Sequence, residues 1–281
     1  MSAPLSAHRL HGIRPVGAPY VLGRWHKDRA SGRGLAMEAR LSLKAMLSPG
    51  RPMPQRFLIL GRPRSGSTLL TRLLDQVDGM RCDGEMLHFS VAAPIRFLDL
   101  AARNSGAAVY GSKLLTYQML EVQKLSDPEA FLRKLLNRGY RLVHLTRNTF
   151  DQALSLSVAQ ARGTYHALKG EGGVERAANT LDPDLFLQQV RWNDATLDYE
   201  RALLSGLPHD VIDYDQDLAR SAVHQATVDR ICGWFGLPET PVAADLDRVG
   251  GKGKAGPSNL DELTEILDRN GFGHLVPAGE T

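Results

Sequence analysis

Cysteine is nearly absent from this chain of 281 residues, where only Cys82 and Cys232 occur. Two thiols support neither a disulfide framework nor a cysteine-based metal cluster, and both are read as small buried residues compatible with a reducing cytoplasm. No apolar run approaches the roughly 20 residues of a membrane span, and the first residues lack the continuous apolar stretch of a secretory leader. A soluble, cytoplasmic chain is expected. Repeats and low-complexity tracts are missing as well. The most informative absence is a lysine. Residues Gly61-Arg62-Pro63-Arg64-Ser65-Gly66-Ser67-Thr68 nearly match the pattern G-x-x-x-x-G-K-[ST], but Ser67 stands where the lysine would reach the β- and γ-phosphates. A triphosphate would lose its main charge partner there. A P-loop kinase, which also needs an acidic magnesium ligand at a strand end, is therefore disfavoured, because Arg147 stands at that point.

What remains at this loop is still an anion site. The apolar run Phe57-Leu58-Ile59-Leu60 precedes it and a helix-like stretch follows, so the segment reads as strand, loop and helix N-terminus. Backbone N–H groups at the positive end of a helix, with Arg64 and hydroxyls beside them, suit an anion smaller than a triphosphate, such as a phosphosulfate. A second constellation lies further on. Arg141-Leu142-Val143-His144-Leu145-Thr146 reads as a buried strand with Arg147 at its end, followed by a helix over about 149–161. Ser155 lies eight residues after Arg147, two turns along that helix. If both face one crevice, a guanidinium fork and a hydroxyl converge on a phosphate. In open α/β sheets that crevice lies at the carboxyl ends of the strands.

The rest of the chain alternates. Strands are expected at 80–83, 109–114 and 209–213, and helices at 94–103, 131–138, 183–204 and 223–235. Asp127 and Pro128 signal one helix start, and Ser258 with Asp261 another. Alternation of this kind implies a largely parallel sheet covered on both faces, and with 43% hydrophobic residues the chain can bury one large core. The net charge of +3 hides an asymmetry, because residues 1–56 hold ten Lys and Arg against Asp28 and Glu38. Residues 1–55 are read as a basic arm with one amphipathic helix over Leu35–Leu47, and 56–281 as the enzyme domain. Such an arm suits a solvated extension, an anionic glycan, a membrane surface or a neighbouring subunit in a homodimer. No nucleic-acid partner is expected.

Together the two anion segments resemble the sulfotransferases that use 3′-phosphoadenosine 5′-phosphosulfate (PAPS), clearest from about residue 56 to 162, and within them the bacterial carbohydrate enzymes of nodulation-factor and trehalose type. The resemblance implies an α/β, P-loop-like three-layer fold with a central, mainly parallel sheet. It implies that Arg64, Ser65, Gly66, Ser67 and Thr68 hold the phosphosulfate, with Arg62 counted among the donor-binding residues, and that Arg147 and Ser155 hold the 3′-phosphate. No metal is implied. The cytosolic branch places a catalytic lysine where this chain has Arg64, which stays charged and serves as a charge stabiliser rather than an acid. That branch also follows the loop threonine with an adenine-stacking tryptophan, and here the position is Leu69.

Sulfuryl transfer needs a base for the acceptor hydroxyl. Glu85, in Asp83-Gly84-Glu85-Met86-Leu87-His88, is the choice, because it follows the second strand and a glutamate in the corresponding segment serves the bacterial relatives. His88 competes, since histidine titrates near neutrality and serves the cytosolic branch. Glu85 as a mere ion-pair partner is a third reading. Lys113 resembles a strand-end lysine that holds substrate in related bacterial enzymes, against an exposed lysine on an edge strand. The acceptor is expected to be a hydroxyl of a carbohydrate or glycoconjugate, with an aromatic or secondary-metabolite hydroxyl as the rival. A lid is expected in the loop from Gly163 to Gly173, and a further 3′-phosphate contact in Gly250-Gly251-Lys252-Gly253-Lys254, against flexible connectors in both places. A non-catalytic nucleotide-binding protein would keep Arg147 and Ser155 without needing Glu85 or His88.

Overall fold

The computed structural model describes residues 31–48, 50–162, 167–168, 180–244, 246–247 and 256–277. The expected phosphate contact at 250–254, most of the expected lid at 163–173 and the arm before residue 31 lie outside the described residues.

Five strands form one parallel sheet: β1 (Gln55–Gly61), β2 (Met80–Glu85), β3 (Val109–Leu115), β4 (Tyr140–Thr146) and β5 (Asp210–Asp213). Their order is β2-β3-β1-β4-β5, with every neighbouring pair parallel. Eight helices among the described residues complete the α/β architecture: α1 (Arg33–Met46), α2 (Ser67–Leu74), α3 (Pro94–Ser105), α4 (Pro128–Asn137), α5 (Thr149–Arg162), α6 (Pro183–Leu204), α7 (His224–Phe235) and α8 (Leu260–Arg269). A two-residue antiparallel ladder also joins Ala167–Leu168 to Leu246–Asp247.

Strand β1 explains the layering. Phe57 and Ile59 face the layer of α2 and α7, whereas Leu58 and Leu60 face the layer of α3, α4 and α6. All four are buried, each contributing about 1.5–3 kcal/mol, and a strand covered on both faces reads in sequence as an unbroken apolar run. A third cluster packs α5, α6 and α8 together through Phe150, Phe186 and Leu263. Both cysteines are free and buried. No helix among the described residues is long and apolar enough to cross a membrane.

Of the two helix starts signalled in the sequence, one is capped as expected and the other is not. Asp127 accepts a hydrogen bond from the Ala130 amide at 2.9 Å, with Pro128 in the first turn, as expected. The Ser258 and Asp261 signature is not used: α8 starts at Leu260 behind Asn259, without a side-chain cap. The reason is competition, because Ser258 Oγ pairs with Thr180 Oγ1 at 2.9 Å and the Asn259 amide brackets the Leu181 backbone at 3.0 and 2.8 Å. Lys113 also departs from the edge-strand alternative. Strand β3 lies inside the sheet and Lys113 is only 7% exposed.

The topology places the loops that matter. From β1 the chain moves towards β2 on one side, and from β4 it moves towards β5 on the other. Adjacent strands from which the chain diverges leave a crevice at their carboxyl ends. The loop after β1 and Arg147 after β4 both stand there.

Candidate active site

The turn after β1 is held in an unusual backbone conformation. Arg64 and Gly66 both have positive φ, 64° and 93°, on either side of Ser65. A left-handed non-glycine residue costs on the order of 1–2 kcal/mol, and such strain concentrates where a site needs it. Turns of this kind aim successive N–H groups to one side. The following helix α2 begins at Ser67 with no side-chain cap on its N-terminus, so its first amides and the positive end of its dipole are available. Gly66 is required twice, because a Cβ there would lie 2.3 Å from Tyr214 Cδ2 and the φ already excludes side chains.

Arg64 joins the two anion segments. Its Nε donates to Ser155 Oγ at 3.2 Å, and its carbonyl accepts from Arg147 Nη1 at 2.9 Å. Residues read from two distant stretches of sequence therefore meet at one residue. The Arg147 guanidinium lies 4.2 Å from the ring centroid of Tyr214, the same ring that packs on Gly66. Gln152, one turn before Ser155, is fully buried and donates to the Pro63 carbonyl at 2.6 Å. Tyr214 and Gln152 were missed in the sequence. Gln152 shares a helix face with Ser155 at i, i+3 and was open to that argument, whereas nothing local marks Tyr214.

Arg62 points elsewhere. It is fully buried, with Nε 3.6 Å from Glu200 Oε2 on α6, Nη1 donating to the Asn193 carbonyl at 2.8 Å and Nη2 to the Arg147 carbonyl at 3.3 Å. Burial pulls the guanidinium below its ordinary value and Glu200 opposes that pull. Glu200 also accepts from Thr116 Oγ1 and lies 3.1 Å from His144 Nε2. This polar knot ties β1, β3, β4 and α6 together beneath the loop.

A second cluster forms at the ends of β2 and β3. Pairing runs Asp83 with Ser112 and then Glu85 with Lys113, so Gly84 is an extra residue, a bulge. If Gly84 were instead paired with Lys113 in regular register, the alternation of a strand would turn Glu85 to the face opposite Lys113. With the bulge, Lys113 Nζ reaches Glu85 Oε1 at 3.6 Å and donates to Thr68 Oγ1 at 3.1 Å. Lys113 thus spans from the anion loop to the carboxylate. Glu85 Oε2 accepts from Tyr117 at 2.7 Å and Gln118 at 2.9 Å, and His88 Nδ1 lies 3.4 Å away. Gln118 opens a single π-type turn after β3, a geometry common at functional sites.

The electrostatics follow from these contacts. Burial alone would raise the Glu85 carboxyl, but the His88 hydrogen bond, the Lys113 charge and the Tyr117 hydroxyl hold it down at about 2. Burial lowers the Lys113 ammonium and Glu85 counters it. Tyr117 and Gln118 were also missed, having no motif of their own. Among the described residues no three His, Cys, Asp or Glu gather to hold a metal ion.

No protein-family model and no curated protein matches the chain. Among solved structures it is similar to the crystal structure of the sulfotransferase STF9 from Mycobacterium avium, at 13% identity and a TM-score of 0.42, covering 86% of this chain and 84% of that one.

Proposed function

We propose that this chain is a sulfotransferase that moves a sulfuryl group from PAPS to a hydroxyl of a carbohydrate or glycoconjugate. The observation that carries the reading is the meeting of Arg147 and Ser155 at Arg64, beside the uncapped start of α2. The residues present fit such a donor. Ser65 Oγ and Arg147 Nε are buried polar atoms with no hydrogen-bond partner among the described residues, and an anion supplies what each lacks. Ser65, Gly66, Ser67 and Thr68 would hold the 5′-phosphosulfate on backbone amides and hydroxyls. Arg147 and Ser155 would hold the 3′-phosphate. Arg62 is proposed to act from below, keeping the loop in place through Glu200 and the Arg147 carbonyl.

When bound, PAPS supplies an electrophilic sulfur whose bond to the bridging oxygen breaks as the acceptor oxygen adds. Arg64 is proposed as the fixed cation that stabilises the developing negative charge, which lowers a barrier because it need not reorganise, with Lys113 as a second cation within reach of the loop. Glu85 is proposed as the base. A carboxylate held at about 2 is a weak base near neutrality, and Lys113 is one reason for that value. Because Lys113 also reaches Thr68, a lysine drawn towards an anion at the loop withdraws its charge from Glu85 and restores basicity at the moment it is needed. His88 is poised as an alternative proton acceptor through Glu85 and Tyr117, its Nδ1 lying 3.3 Å from the Tyr117 hydroxyl. The carbohydrate acceptor rests on the resemblance to the bacterial carbohydrate enzymes.

The test is a comparison of nucleotides by calorimetry. In Arg147→Ala, adenosine 3′,5′-bisphosphate should lose about 1.5–3 kcal/mol of binding, the worth of a hydrogen bond to a charged group, while AMP is nearly unaffected. Equal weakening contradicts the assignment. Transfer of labelled sulfate from PAPS into glycans tests the reaction itself, and absence of product with every hydroxyl acceptor favours a binding protein.

A further inference from the structure

Helix α1 is apolar on two faces, and only one of them is covered by the described residues. Its inner side packs through Met37 and Leu41 against the core, with Gly34 and Ala45 buried. On the outer side Leu35 is 62% exposed, Leu43 58%, Met46 76% and Leu47 75%. At 3.6 residues per turn these four fall on one stripe, with exposed Ala39 among them and Arg40 and Lys44 along its border.

The charge around the stripe has one sign. Arg96 on α3 is exposed and reaches Ser42 Oγ on α1 at 3.4 Å. It also lines a cavity of 530 Å³ between α3 and α4, together with Lys134 and Arg138. Of the acids in this region, Glu38 and Asp99 are engaged by the protein, whereas Asp127 is exposed in the same cavity. Glu38 accepts from the Ala93 and Ala92 amides at 2.8 and 3.2 Å, capping α3 from a neighbouring helix. Asp99 is buried between Arg56 and Arg138, and Asp127 caps α4.

An uncovered apolar stripe beside unopposed cations is complementary to an anionic interface. A second copy suits it less, because a two-fold contact would repeat the same cationic border on both partners. The helix is also rigidly seated. A Cβ on Gly34 would lie 1.9 Å from the Ser90 carbonyl oxygen, and the Arg33 guanidinium stacks 4.1 Å from the Phe89 ring centroid. Helix α1 therefore abuts the segment immediately after His88.

We propose that α1 is an interfacial helix that docks the protein on an anionic lipid surface. Leu35, Leu43, Met46 and Leu47 enter the acyl boundary, and Arg40, Lys44 and Arg96 meet the lipid phosphates. Docking sets the loop that carries Glu85 and His88 at a fixed height above that surface. The inference goes beyond the proposed reaction and does not rest on it, since vesicle binding is read without turnover.

The test is flotation of the full chain with vesicles of phosphatidylcholine, with and without phosphatidylglycerol, at two salt concentrations. Binding is expected with phosphatidylglycerol only, and weaker in high salt. Leu43→Glu and Met46→Glu should each lower binding by at least about tenfold, and Arg40→Gln and Lys44→Gln by roughly fivefold each. These side chains are exposed, so an unchanged melting temperature should accompany the loss. Failure to bind phosphatidylglycerol vesicles, or equal binding to neutral ones, overturns the proposal. So does a dimer in sedimentation that Leu43→Glu dissociates, which makes a second copy the occupant.

Discussion

The two ends of the candidate site are built from different materials. At the β1 and β4 end the working groups are mostly backbone: amides of the turn, the start of α2 and a carbonyl that orients Arg147. The buried knot of Arg62, Glu200, His144 and Thr116 fixes them from beneath. At the β2 and β3 end the working groups are side chains, and Glu85 is held by Lys113, Tyr117, Gln118 and His88. Backbone held by a core cannot easily adjust, so it suits a constant guest. Side chains held by one another can exchange partners, which suits a proton that must move.

Mutations should separate the two ends. The largest effect is expected for Glu85→Gln, which should lower turnover by about 10²–10⁴ while affinity for adenosine 3′,5′-bisphosphate stays nearly constant. Full activity in this variant moves the base to His88, and a parallel loss of nucleotide affinity erases the division of labour. Next comes Glu200→Gln, which strands the buried Arg62 guanidinium and should cost roughly 3–5 kcal/mol in urea unfolding. A loss no larger than that of a surface substitution contradicts the picture of a fixed base under the loop.

Smaller effects concern pH. The Glu85 carboxyl sits near 2 in the folded chain against an ordinary 4.5, so its ionised form contributes stability that is complete above 4.5 and lost as pH falls through 2. Acid unfolding of Glu85→Gln should therefore be flatter in that window. Lys113→Met should lift the Glu85 carboxyl towards its ordinary value, measurable by carboxyl NMR, and an unmoved resonance denies that Lys113 controls it. If Lys113→Met leaves the acid limb of the kcat/KM profile in place, that limb does not belong to Glu85.

The same contrast explains what the sequence made legible. The elements at the β1 and β4 end were legible because their signals are local: a strand, a turn with Gly66, and an arginine and serine eight residues apart on one strand-helix junction. Capping residues placed α4 for similar reasons, and the apolar run of β1 announced a strand covered on both sides. Glu85 and Lys113 were each picked out, but not their pairing, because it depends on a slip in register between two strands that periodicity cannot show. Tyr214, Gln118 and Glu200 escaped because their importance lies wholly in what the fold sets against them. Ser258 and Asp261 marked the start of α8 to within two residues, although Ser258 pairs with Thr180 and does not cap it.

The bulge at Gly84 makes one contact of the site depend on strand register alone. Closing the bulge with Gly84 kept, so that Gly84 itself pairs with Lys113, would leave five strands and their hydrophobic layers able to form, yet would turn the acid at the end of β2 to the other side of the sheet. A single step of register at one strand end thus decides whether Glu85 and Lys113 meet, while the scaffold that carries them is indifferent to it.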